Sequence, residues 1–144
     1  MADLGLDIDL LFHDLQFVVT AFLLALPIGW ERGRGPHSPG FRTLPIVAMA
    51  SCGFALIIDF GADDTEARAR VLQGVVTGIG FIGGGAIIKR GRDVRGLATA
   101  ASIWNAGAIG LAVGLGRVNV AILLSLINLL GLWLLAGLNG EDRD

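Results

Sequence analysis

At 144 residues the chain is one domain by size, and with 53% hydrophobic and only 17% charged side chains it falls short of the quarter or so of charged residues usual in a soluble domain. The formal net charge of −2 hides a segregation: basic residues gather in two loops, whereas acids collect at the two termini and around Asp63. A single cysteine, Cys52, excludes an intrachain disulfide.

Taken in order, the chain begins with an acidic stretch, MADLGLDIDLLFHD. This lacks the basic start of a cleavable signal, so the first apolar segment is expected to stay as an anchor. Five apolar segments follow, at about 10–30, 43–58, 71–88, 97–115 and 118–138, each close to the ~20 residues a membrane-crossing helix needs and the second the shortest. Strand-like alternation is missing, so the expected fold is all-α: a single polytopic transmembrane bundle over 1–144 with about five spans. Pro45 suits a first helical turn, while Pro27 is expected to kink or end the first helix before Glu31. The segment GRGPHSPGFR reads as a turn-rich loop, and the short connection at Gly116 and Arg117 implies an antiparallel pair of helices four and five.

Orientation follows from lysine and arginine. The first and third loops and the tail hold Arg32, Arg34, Arg42, Lys89, Arg90, Arg92, Arg95 and Arg143, eight in all, against Arg68, Arg70 and Arg117 on the other side. The N-terminus is therefore expected outside and the C-terminus inside, with Trp30 and Trp133 at cytoplasmic helix ends.

The stretch QGVVTGIGFIGGGAIIKRGRDVR, Gln73 to Arg95, joins a glycine-crowded span to a basic foot. Residues 78–83 spell GIGFIG, a match to the dinucleotide fingerprint, but the fingerprint needs a strand before it and here lies inside an apolar span. Each interior glycine costs a helix roughly 1 kcal/mol, which close helix approach in lipid offsets. Gly74, Gly78, Gly80, Gly83, Gly84 and Gly85 are therefore expected to pack helices, with this span at the centre. The foot and the end of the first span together make a cytoplasmic charge cluster of Glu31, Arg32, Arg34, Arg42, Lys89, Arg90, Arg92, Asp93 and Arg95. Glu31 and Asp93 are expected to tie the two loops through arginine–carboxylate pairs, and the basic loops to attract anionic lipid headgroups.

Within the spans the polar residues are Gln73, Thr77, Thr99, Ser102 and Asn105, with Ser125 and Asn128 on the last. Interhelical hydrogen bonds are their expected use, and a cation pathway the alternative. No carboxylate lies in the middle of a span, His13 and His37 lack metal-ligand spacing, and no nucleophile sits with a base. No enzyme activity, resident cofactor or nucleic-acid partner is expected; a role for magnesium or another cation is left open.

The segments GWER…GFRT from Gly29 to Thr43, GVVTGIGFIGGGAIIKRG from Gly74 to Gly91 and VRGLATAASIWNAGAIGLAVGLG from Val94 to Gly116 strongly resemble the MgtC/SapB family of bacterial and archaeal membrane proteins. Its signature positions fall on Glu31, Arg32, Arg42, Thr43, Gly78, Gly80, Gly83, Gly85, Arg95, Gly96, Thr99, Ala100, Ala101, Trp104 and Gly110. Gly33 replaces the usual acid after Glu-Arg, Ala98 precedes Thr99 where a threonine pair is common, and the soluble C-terminal domain of longer members is expected to be missing after Asp144. The resemblance implies a multi-pass plasma-membrane protein tied to magnesium homeostasis. Two functions compete: a homodimeric, non-enzymatic modulator packing against a partner such as an ATP synthase subunit or a transporter, and a small oligomeric cation transporter or channel.

Overall fold

The structure, a computed structural model, describes residues 7–34, 41–61, 65–91 and 93–135. Arg92, His37 and the end of the last expected span lie outside the described residues, as do the side chains of Arg90 and Asp93. Five helices run in order: α1 (Ile8–Arg32), α2 (Thr43–Gly61), α3 (Thr65–Gly85), α4 (Leu97–Gly114) and α5 (Val118–Leu135). Between α3 and α4 a two-stranded hairpin, β1 (Ile88–Arg90) and β2 (Asp93–Arg95), pairs Ile88 with Arg95 and Lys89 with Val94. The architecture is an all-α bundle, as the apolar segments implied.

Local chemistry sets most boundaries. The Asp7 carboxylate caps α1, accepting from the backbone N–H of Asp9 at 2.9 Å and of Leu10 at 3.2 Å. Pro27 lies inside α1 without ending it, and the helix continues to Arg32 and closes at Gly33, whose N–H donates to Gly29 O at 2.8 Å. Pro45 sits in the first turn of α2, where its missing N–H breaks no helical bond. Helix α3 starts at Thr65 rather than near Val71, because the Glu66–Arg70 pair at 2.5 Å supports an extra exposed turn and a half. It stops at Gly85 rather than Ile88, since Ile88 already belongs to the hairpin. Gly91, at φ 62°, starts the tight turn, a conformation glycine reaches without steric cost.

Helix α4 ends in a Schellman closure: Arg117 N–H donates to Ala112 O at 2.7 Å and Gly116 N–H to Val113 O at 2.9 Å, with Gly116 at φ 71°. Helix α5 begins at Val118, giving the expected antiparallel pair.

The centre of the bundle is α4, not α3. Helix α4 touches each of the other four, most extensively α2. The reason is a match of small residues. A Cβ on Gly110 would run into Ala48 O, and one on Gly114 would sit 2.6 Å from Ala55 Cβ and 2.7 Å from Cys52 O. Gly110 and Gly114, four apart, thus seat the Ala48–Ser51–Cys52–Ala55 face of α2. Gly107 receives the Ile79 side chain of α3. Around this seam Ile28, Leu44, Ile103, Ile109 and Val113 are fully or almost fully buried.

The outside is apolar. Ile122, Leu123, Leu126, Ile127, Leu130 and Leu134 stand exposed along α5, as do Leu15, Val19 and Leu23 on α1. In water such a surface would aggregate; in a bilayer it is solvated. Helices α1, α4 and α5 are long and apolar enough to cross a membrane, whereas the apolar part of α2, Thr43–Ile58, is shorter and α3 opens on charged residues.

Candidate functional site

The ends of α1 and α5 and the start of α4 meet at one end of the bundle, and there the sequence-predicted basic residues divide. Glu31 pairs with Arg34 at 3.5 Å within a turn of α1. The Arg34 guanidinium lies 5.8 Å from the Trp30 ring, and Trp30 meets Phe41 edge to face at 5.5 Å. Gly29 and Gly33 permit this, since a Cβ on Gly29 would stand 2.8 Å from Phe41 O and one on Gly33 3.2 Å from Phe41 N. The two parts of GWER…GFRT are thereby brought together. Arg42, Lys89 and Arg95 are exposed. Glu31 finds its partner within its own helix turn, while the side-chain positions of Arg90 and Asp93, on which a tie between the loops depends, fall outside the described residues.

Arg32 points elsewhere. It lines a cleft of about 420 Å³ between α1, α4 and α5, together with Ala98, Ser102, Asn105, Asn128 and Gly131 and an apolar wall that includes Leu124 and Leu135. Its Nε is buried with no protein acceptor. A buried donor left unsatisfied costs about 1–3 kcal/mol, and more when it belongs to a charged group. Deeper in the cleft Ser102 Oγ donates to Asn128 Oδ1 at 3.3 Å, and Asn105 Nδ2 donates to Leu124 O at 3.3 Å. Ser125 Oγ donates to Leu24 O at 2.6 Å, joining α5 to α1. These are interhelical bonds of the expected kind. The sequence groups Arg32 with the surface charges and so hides the cleft; its signal is the polar pair Ser102 and Asn105, within one turn of α4, facing Asn128 on α5.

Gln73 and Thr77 lie apart from this group. Both are exposed on α3, and Thr77 Oγ1 donates to Gln73 O at 2.8 Å within the helix. Thr99 is half-buried on α4. The five intramembrane polar residues therefore do not line one cavity. Of the six α3 glycines, only Gly83 meets another helix: a Cβ there would stand 3.1 Å from Ala100 O. A Cβ on Gly74, Gly78, Gly80, Gly84 or Gly85 would meet nothing within 4 Å among the described residues. No cluster of His, Cys, Asp and Glu able to hold a metal ion occurs among the described residues.

The profile of the MgtC family matches residues 18–140. The chain is 38% identical to "Protein MgtC" of Brucella abortus (strain 2308) over 111 residues, covering 77% of this chain and 46% of that protein. It is 35% identical over 125 residues to "Putative magnesium transporter YhiD" of Escherichia coli (strain K12), covering 80% and 58%. It is 35% identical over 118 residues to "Protein MgtC" of Salmonella typhimurium (strain LT2), covering 82% and 50%. The chain thus spans about half the length of these relatives. No solved structure matches it.

Proposed function

Because the chain belongs to the MgtC family, a family of bacterial membrane proteins, we propose that it is a multi-pass inner-membrane protein of magnesium homeostasis. On this reading it acts without catalysis, as a modulator whose α3 packs against another membrane protein or a second copy of itself, with the basic loops on the cytoplasmic side.

One observation supports the reading: among the described residues, five of the six glycines of α3 open onto space rather than onto the chain's own helices. Lipid gives a glycine face little to gain over alanine or leucine, whereas a second helix gains van der Waals contact from the close approach that glycine allows. The exposed Gln73 and Thr77 on the same helix supply polar groups that a neighbouring helix would satisfy and acyl chains would not.

In-cell crosslinking from Gly78→Cys or Gly80→Cys tests this, with the buried native Cys52 as an internal unreactive control. A discrete adduct, identified by mass spectrometry and lost when Gly74→Leu is added, is expected; adducts no more abundant than from a cysteine placed at lipid-facing Leu126 would count against it.

A second reading, a small oligomeric cation transporter, is favoured by the name of the Escherichia coli relative. Its difficulty is electrostatic: among the described residues the polar cleft carries Arg32 and no carboxylate, an unfavourable lining for a divalent cation. Magnesium flux into liposomes holding the pure protein, above that of empty liposomes, would establish transport.

A further inference from the structure

We propose that the cleft between α1, α4 and α5 is a binding site for one phosphate group of an anionic phospholipid, seated on Arg32. The cleft lies away from α3, so this site stands or falls independently of the helix-packing reading above.

Charge comes first. Among the described residues Arg32 is the one charged residue in the lining. Its Nε is buried and lacks a protein acceptor, and Glu31, the adjacent carboxylate, is engaged by Arg34 at 3.5 Å. An arginine at a membrane-protein helix end ordinarily extends to water or pairs with a carboxylate. Arg32 instead lines a cavity, and a guanidinium is a planar fork of donors that matches phosphate oxygens two at a time.

The rest of the lining agrees. Asn128 Oδ1 is used by Ser102, which leaves the Asn128 amide N–H groups as donors on a cleft-lining side chain. Ala98 places the first turn of α4 in the wall, and α4 starts at Gly96 with no side-chain cap, so its leading N–H groups add positive potential at the same end. Among the described residues no acidic side chain lines the cleft to oppose an anion.

Shape selects an amphiphile over a free ion. The volume of about 420 Å³ far exceeds a lone phosphate. From Ala98 to Asn105 the cleft follows α4 inward for roughly 10 Å at 1.5 Å per residue. Leu132 and Leu135 near the mouth and Leu124 and Ile127 further in give the α5 side of the cleft an apolar wall, a surface for the methylenes of an acyl chain. A headgroup at the level of Arg32 and tails descending along α5 is the order in which a bilayer already presents a phospholipid.

The test is lipid retention by the full-length chain, purified in detergent and offered phosphatidylglycerol, phosphatidylcholine or inorganic phosphate, read by native mass spectrometry and thermal unfolding. Phosphatidylglycerol is expected to be retained at least about fivefold over phosphatidylcholine, and Arg32→Gln to abolish that preference while Arg32→Lys keeps part of it. Since Arg32→Gln affects a partly buried side chain, a second variant guards the result. A Cβ on Gly131 meets nothing, so Gly131→Leu fills the cleft without displacing the backbone and is expected to lower retention about tenfold in a normally folded protein. Stabilisation by inorganic phosphate that matches phosphatidylglycerol and vanishes in Arg32→Gln would assign the site to free phosphate and overturn the lipid. Equal retention of both lipids, or undiminished phosphatidylglycerol in folded Gly131→Leu, would overturn the site.

Discussion

Helices α3 and α4 are both rich in glycine, and they use it in opposite ways. On α4, Gly107, Gly110 and Gly114 are filled by Ile79, by the backbone of Ala48 and Cys52, and by the Ala55 methyl. On α3, five of six glycines face nothing among the described residues. A small-residue face announces that something can come close, but the spacing is silent on what does. The difference lies in the opposing helix: α2 offers α4 a complementary face of Ala48, Ser51, Cys52 and Ala55, and no helix of the chain offers one to most of α3.

The sharpest way to break this comparison is a leucine at each kind of site. Gly110→Leu would force a side chain into the α2 backbone, and should cost at least about 3 kcal/mol, the upper end for overpacking. Loss of the monodisperse peak on detergent sizing, with lowered helical circular dichroism, is the expected result; a normally folded variant would remove α4 from the centre. Gly96→Ala should come next. Gly96 holds φ 86°, and a Cβ would press on Ala86 O where the chain leaves the hairpin for α4. A loss of about 1–3 kcal/mol, read as a lower unfolding temperature, is expected. Ser125→Ala removes the 2.6 Å bond to Leu24 O and should cost only about 0.6 kcal/mol, the usual value for an interhelical bond in lipid. Gly78→Leu should be smallest, within about 0.5 kcal/mol of the parent in unfolding, because the new side chain meets nothing in the chain. A Gly78→Leu variant as unstable as Gly110→Leu would mean that α3 is packed within the chain after all.

How much the sequence revealed follows the same line. The start and end of α4 and the start of α5 were legible, because apolar runs, Gly96, Gly116 and Pro-free interiors mark them directly. Helix α3 was displaced by about two turns at its start, since Glu66, Arg68 and Arg70 read as a polar loop although a Glu–Arg pair four apart supports a helix as well. The hairpin was overlooked because each strand has only three residues, too few to show alternation, and its cue was Gly91 in a tight turn. The central role fell to α3 because its glycines are denser, whereas Gly110 and Gly114 carried the same four-residue spacing on α4. Arg32 is the instructive case at the site. Neighbours in sequence, Glu31, Arg32 and Arg34, look like one charge cluster, but successive helical residues turn about 100°, which sends Arg32 to the cleft and leaves Glu31 with Arg34.

The central position of α4 has a consequence for how the protein is made. Helix α4 follows α1, α2 and α3 in the chain, so all three leave the ribosome before the seat for α2 exists. During that interval the Ala48–Ser51–Cys52–Ala55 face is uncovered in the membrane, and α1, α2 and α3 have only one another. The tight turn at Gly116 then delivers α4 and α5 nearly together, so that the seam with α2 and the Ser125 bond to α1 close in one late step.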